Sequence, residues 1–412
     1  MPPAPGDWSR WRLRSSAAFL TALAALAATG LVAGPAAADQ TAGPCALPRT
    51  SAHHSLGVDT WNENYPRPTA TLDAVMIFLS FPDSDPLLTP GELASDHFPA
   101  TGDFFRRASY GKFELRPHPL LDWVPMPADS TSYAIRRDWT AERRTAYLRD
   151  AVAAADARVD FSRYDIVYLV ADPDAPGVDS DATKVVNFDT PLRADGTDIR
   201  RVVTVFEKHP PDRNVLAHET GHVFDLPDLY HRPADGKGDW DTHVGDWDLM
   251  GSQFGLASDP FGWHKWKLGW LDAEQVACVP WGTTARFTLD PLSAPPPTGG
   301  QRGNARLAVV RTGENTALAI EARGGTGNDR GACSEGVLIY RVRNGTSSGG
   351  GPIEVVDTHP RTEACWDRSV YPPLADAPLG VGETFTVARE GAKVEVADRT
   401  GSGGWTVQVT TG

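Results

Sequence analysis

The run His218-Glu219-Thr220-Gly221-His222 carries two imidazoles four residues apart with a carboxylate between them. On a helix this spacing puts both rings on one face, with Cβ atoms about 5–6 Å apart, so both can bind one ion. Zinc is the ion expected, because it is four-coordinate, accepts neutral imidazole, and in hydrolytic sites keeps three protein ligands and one water. Glu219 then stands beside that water, in the position of a general base. The third ligand has to come from further along the chain. No Glu lies between Glu219 and Glu274, which argues against a Glu on a following helix, whereas Asp228 follows His222 by six residues. We assign His218, His222 and Asp228 as metal ligands and Glu219 as the catalytic base. Asp225, three past His222 on the same helical face, is the rival third ligand.

The offsets match the metzincin-type pattern H-E-x-x-H-x-x-G-x-x-H, with Asp228 in place of the final His and Asp225 in place of the Gly. The chain leaves the helix at the Gly position, often in a left-handed conformation, which Asp tolerates better than most residues. Leu249-Met250-Gly251 reads as a methionine turn, with Met250 as an apolar floor of the site. The bland alternative is an accidental motif, expected with 11 His in roughly one such chain per hundred. An aspartate at the right offset makes that rarer. Tyr230, His231, His243 and His264 are all candidates for stabilising an oxyanion, and nothing in the sequence ranks them. Asp172, Asp174, Asp179 and Asp181 form one acidic run, and Asp235, Asp239 and Asp241 another. Calcium takes such oxygen ligands, but neither run has EF-hand order, and acidic runs are otherwise simply solvated.

These groups need a scaffold of ordinary globular composition, 41% hydrophobic and 22% charged over 412 residues. Arg10, Arg12 and Arg14 precede an Ala/Leu-rich run from Ala17 to Ala33 and then Ala36-Ala37-Ala38, the pattern of a secretory signal cleaved after Ala38. The run is short for a membrane span, so no stable membrane association is expected after cleavage. A net charge of -14 repels phosphate backbones and argues against nucleic acid as a partner. Four cysteines in an exported chain suggest two disulfides. Of three connectivities, the pairing expected is Cys45 with Cys278 and Cys333 with Cys365. No C-x-x-C motif is present.

Residues 39–68 lack periodicity and read as an extended leader or short propeptide. The apolar run Ala74–Leu79 reads as a buried strand. Helices are expected at 101–109 and at 141–157, the second capped by Thr140, with strands at 165–170 and 201–206 and the metal helix from about Asp212. Strands, helices and strands in this order imply a sheet backed by helices over 69–280, an α/β (α+β) catalytic domain. Residues 231–262 read as a loop-built cleft wall. Short alternating segments from Leu307 to Val409 predict a β-sandwich-like domain over 281–412.

With these residues in view, the chain resembles the immune inhibitor A-type secreted metallopeptidases. The resemblance rests on Ala74 to Asp83, Ser109-Tyr110-Gly111-Lys112, the run from His218 through Pro227-Asp228-Leu229-Tyr230, Trp247-Asp248-Leu249-Met250-Gly251, and Lys267-Leu268-Gly269-Trp270. It covers roughly residues 70–275 and the β-rich tail only loosely. It implies a metzincin-like catalytic domain and a secreted zinc endopeptidase acting on protein or peptide substrates. The competing readings are a secreted zinc-stabilised binding protein and a zinc hydrolase of non-peptide amides. Oligomeric state is not readable from these features.

Overall fold

The computed structural model describes residues 43, 45–50, 56–233, 235–295 and 303–412. The expected signal at 1–38 and its cleavage point lie outside these residues. Among the described residues, no helix is long and apolar enough to cross a membrane.

The first sheet contains β1 (Thr71–Ser80), β2 (Glu114–Pro119), β3 (Val124–Pro125), β4 (Ile166–Ala171), β5 (Lys184–Ala194) and β6 (Thr197–Val205), in the order β2-β1-β4-β6-β5 with β3 also on β1. Pairing is parallel except at β5, which runs antiparallel along β6 at the sheet edge. Side chains of a strand alternate between faces, and β1 uses both. Ala74, Met76 and Phe78 join Phe104 and Phe105 of α2 (Ala100–Ala108) and Leu216 and Val223 of α5 (Val215–Val223), while α1 (Pro90–His97) adds Leu93. Val75, Ile77 and Leu79 face Tyr147, Leu148, Ala151 and Ala155 of α4 (Ala141–Ala155), with Tyr133 of the short α3 (Ser130–Tyr133) beside them. Thr140 caps α4 as expected, accepting a hydrogen bond from the Arg143 amide.

Two departures from the expectations bear on the site. The strand β5 was not anticipated: its polar Lys184, Asn187 and Arg193, its Pro191 and a register irregularity between Asn187 and Leu192 hide the alternation. Proline is tolerated there because an edge strand has unpaired amides. The metal helix begins at Val215 and not near Asp212, after Asn214 in a left-handed conformation at φ 60°.

A buried helix, α6 (Gly262–Leu268), leads to the β-rich half. There β7 (Val276–Val279), β9 (Leu307–Arg311), β10 (Thr316–Arg323), β11 (Gly336–Arg343) and β12 (Ile353–Val355) form one sheet, and β8 (Thr284–Leu289), β13 (Thr384–Val387), β14 (Ala392–Arg399) and β15 (Trp405–Thr411) a second. Val310, Leu318, Ile320 and Ile339 of the first pack with Val394, Val396, Val407 and Val409 of the second, giving the expected sandwich. The opposite face of the first sheet, through Leu307, Val309, Ala319 and Tyr340, belongs to the same core as α5 and α6. The expected boundary at 280 therefore crosses a continuous hydrophobic interior.

Residues 45–50 and 56–68 carry no helix or strand, yet they are built into the molecule and do not hang from it as a leader would. Leu47 and Val58 are buried in the main core. The indole of Trp263 donates to the Val58 carbonyl at 2.7 Å, that of Trp270 to the Pro68 carbonyl at 2.7 Å, and the Lys267 ammonium to the Gly57 carbonyl. The disulfide Cys45–Cys278 fastens this strap to β7, and Cys333–Cys365 closes a loop beside the sandwich. Both pair as expected, and two disulfides fit an oxidising extracellular compartment.

The Cys45–Cys278 link spans 233 residues of sequence, so it restricts the unfolded chain strongly. Replacing both cysteines by Ser is expected to lower unfolding free energy by about 2–5 kcal/mol in urea titrations. A chain starting at Thr69 should be destabilised further, since it also loses Val58 and Asp59; unchanged midpoints in both would show the strap to be dispensable.

Candidate metal centre

All nine residues of α5 are buried, and two fastenings set its rotation. The Thr220 hydroxyl meets the Tyr168 hydroxyl of β4 at 2.8 Å. Gly221 leaves room for Met250, whose sulfur would stand 2.5 Å from any Cβ at that position. Met250 thus lies directly against the helix, as a floor should. Its own amide donates to Asp248 Oδ1 at 2.7 Å and its carbonyl accepts from the Leu229 amide at 2.9 Å.

His218 and His222 project one turn apart, ring centroids 4.9 Å from each other. His218 Nδ1 lies 2.9 Å from the Leu249 carbonyl and His222 Nδ1 2.8 Å from the Leu226 carbonyl. A carbonyl only accepts, so both Nδ1 atoms carry a proton and both Nε2 atoms are the ones turned towards the centre. After the helix the chain reverses, with the Leu226 amide returning to the Gly221 carbonyl and Asp225 left-handed at φ 63°. The reversal brings Asp228 Oδ1 to 3.4 Å from His218 Nε2 and 3.1 Å from His222 Nε2.

Among the described residues this is the one group of three that could hold an ion, its donor atoms all within 4.8 Å of one another. Asp228 Oδ1 is buried with no hydrogen-bond donor. A carboxylate oxygen and two imidazole nitrogens this close call for positive charge among them, whether protons or a metal ion. Ligands 2.0–2.1 Å from a tetrahedral zinc are about 3.3 Å apart, which matches the two spacings. The electrostatics agree: burial alone would raise the Asp228 carboxyl, but the two imidazoles hold it far below the usual range. Burial likewise opposes charge on His222, and Asp228 overrides it, pushing His222 up to about 9. The site has a strong demand for positive charge, and the donor set fits zinc.

Asp225, the rival ligand, turns the other way. Its carboxylate is buried 2.9 Å from the Lys267 ammonium and 3.7 Å from Arg49 of the strap, close enough to Asp59 that both acids share these cations. Burial, only partly offset by Lys267, raises its pKa to about 6. Asp225 is a structural anchor beneath the centre.

Glu219 opens on the cleft with the ligands. Burial raises its pKa, against the pull of His222 and His218. The Val185 amide of β5 donates to its Oε2 at 2.8 Å, which leaves Oε1 for other partners. The cleft, about 520 Å³, is lined by these groups, Lys184, Val185 and Asn187 of β5, Tyr230, Trp240 and Phe254, and by Leu56 of the strap.

Of the four oxyanion candidates only Tyr230 lines this cleft. Its ring stacks on His218 at 6.4 Å, and burial, then the charges of Asp228 and Glu219, keep its hydroxyl protonated. His231 and His243 pack on each other at 5.0 Å away from the lining, and His264 is fully buried, its Nδ1 3.0 Å from Asp248 Oδ2. The acidic runs considered for calcium do not converge among the described residues. Asp172 accepts from the Ser84 hydroxyl, and Asp179 and Asp239 each cap a short turn.

One contributor was not anticipated. Ser348, in the loop between β11 and β12, accepts from the Asp228 amide at 2.9 Å and donates to Asp228 Oδ2 at 3.0 Å, while the Gly349 amide holds the Asp228 carbonyl at 3.0 Å. The β-rich half thus orients the third ligand. The only trace in the sequence is a Ser/Gly-rich loop, which signals a turn and nothing more.

No protein-family model matches the chain, and no curated protein matches it.

His222→Ala and Asp228→Ala proteins are expected to lose stoichiometric zinc on dialysis, measured by elemental analysis. Asp225→Asn should retain zinc but lose about 3 kcal/mol of stability, because the Lys267 charge stays buried with less compensation. Zinc loss in Asp225→Asn at full stability would reverse the two assignments.

Proposed function

We propose that this protein is a secreted zinc-dependent endopeptidase with a metzincin-like catalytic domain, of the immune inhibitor A type that its motifs resemble. The observation that carries the reading is the convergence of one donor atom each from His218, His222 and Asp228 beside the Glu219 carboxylate on one cleft. A structural zinc site has no use for such a carboxylate, and its coordination is closed.

His218, His222 and Asp228 would hold the ion. When bound there, zinc supplies a Lewis acid that lowers the pKa of a coordinated water towards about 7 and polarises a carbonyl. Glu219 takes a proton from the attacking water through Oε1 while the Val185 amide steadies Oε2. The same carboxyl then gives that proton to the departing amine, so water is added across the C–N bond with no net proton change. Its raised pKa makes the carboxylate the stronger base for taking that first proton. Tyr230 offers a neutral hydroxyl to the charge developing on the carbonyl oxygen.

A peptide is favoured over other amides by the edge strand. The Val185 amide points out of the sheet towards Glu219, and the alternation of an antiparallel ladder turns the Val185 carbonyl and Asn187 amide the same way. An extended chain lying along β5 would pair with that carbonyl and that Asn187 amide.

The test compares zinc-loaded protein with its Glu219→Ala variant on a mixed peptide library. Cleavage should fall by about 100- to 10,000-fold with zinc content unchanged. Equal cleavage by both proteins, or none by either, would end the proposal.

A further inference from the structure

The cleft continues past Trp240 into a shallow lobe lined by Arg137, Arg232, Pro233, Gly236 and Trp240, and Arg137, Arg232 and Trp240 border both spaces. Among the described residues the lining of this lobe carries no carboxylate, and Asp181 and Asp138 approach its two guanidiniums from outside the lining. Aromatic rings join it to the metal centre: Tyr230 stacks on His218 at 6.4 Å, Trp240 stacks on Tyr230 at 5.3 Å, and the Arg137 guanidinium lies 5.2 Å from the Trp240 ring centre. The interplanar angles of 16° and 26° make this a continuous stack that leads outward from one metal ligand.

The two guanidiniums are loosely committed. Arg137 faces Asp181 at 3.8 Å and Arg232 faces Asp138 at 3.3 Å, and these carboxylates are 67% and 77% exposed. Exposed pairs of this kind are weak and screened, so another carboxylate can replace either partner at little cost. Arg137 is also held in place by the stack beneath it. Arginine matches carboxylate geometry with paired donors, and an acidic protein of net charge -14 would otherwise disfavour an acidic ligand. A cationic lobe at the end of the cleft therefore selects against the field of the rest of the molecule.

We infer that Arg137 and Arg232, on the Trp240 platform, form a subsite for an acidic side chain of the substrate. The stack is long enough for that side chain to lie roughly two to four residues from the scissile bond, at 3.2–3.4 Å per extended residue. This rests on the peptidase reading and names the substrate class for the same site: peptides with Asp or Glu at one fixed distance from the cut.

The test uses the zinc-loaded, signal-free chain and one cleavable peptide in which Asp, Glu, Ala or Lys is placed at each position in turn. At one position Asp or Glu should exceed Ala in kcat/KM by on the order of tenfold, and raised salt should shrink that ratio. In the Arg137→Glu/Arg232→Glu protein the acid-to-Ala ratio should drop below one, with Lys now preferred at that position. Both side chains are half exposed on loops, and a circular dichroism melt checks that the variant folds. Cleavage without acidic preference, or a preference that survives the double reversal, overturns the subsite and leaves the peptidase reading intact. If no peptide is cut, that reading fails and the subsite with it.

Discussion

Three donor atoms pointed at one another in a buried place are the constraint around which this molecule is arranged. They need positive charge among them, and Asp228 Oδ1 is buried with no hydrogen-bond donor. Their closeness persists because each donor is restrained from behind by a different part of the fold. Backbone carbonyls at Leu249 and Leu226 fix the two imidazoles. The left-handed turn at Asp225 and the Ser348 hydroxyl fix Asp228. Asp248 organises the remaining side, binding the amides of Met250 and Phe261 and the ring of His264. It thereby ties the floor of the site to the start of α6.

A second buried electrostatic system secures α6 to the sandwich. Glu321 on β10 accepts from the Gly262 amide and the Tyr340 hydroxyl at 2.7 Å each, and pairs with Arg323 at 2.9 Å. Arg323 also reaches Asp329 at 2.8 Å and the carbonyls of Ala257 and Asp259 at 3.0 Å. Buried ions are costly unless satisfied this fully. The outcome is that the loop from 224 to 261, which has almost no regular structure, is anchored at both ends by groups that have few alternatives.

What could be read from the sequence was whatever leaves a local mark. The His218-to-Asp228 spacing, the apolar run of β1 and the Thr140 cap are all short-range patterns, and each matches an element or a cluster in the structure. What escaped notice depends on partners far along the chain. Ser348 lies 120 residues from Asp228, and the strap meets Trp263 across 205 residues. Asp225 stood as the rival ligand on helical spacing alone; the left-handed turn at φ 63° is what redirects it to Lys267. The edge strand β5 was legible in principle, since Asp195-Gly196 takes positive φ at both positions of a tight hairpin turn.

The Ser348 contact also sets an order of events. A ribosome delivers the two histidines and Asp228 well before the residue that steadies Asp228, and the cysteine that pins the strap arrives only at 278. A chain caught part-way through synthesis thus owns all three groups of the cluster but lacks the clamp that aims the last of them. Completion of the β-rich half is what aims Asp228 at the two imidazoles, so the molecule's far end governs when the cluster takes its final geometry.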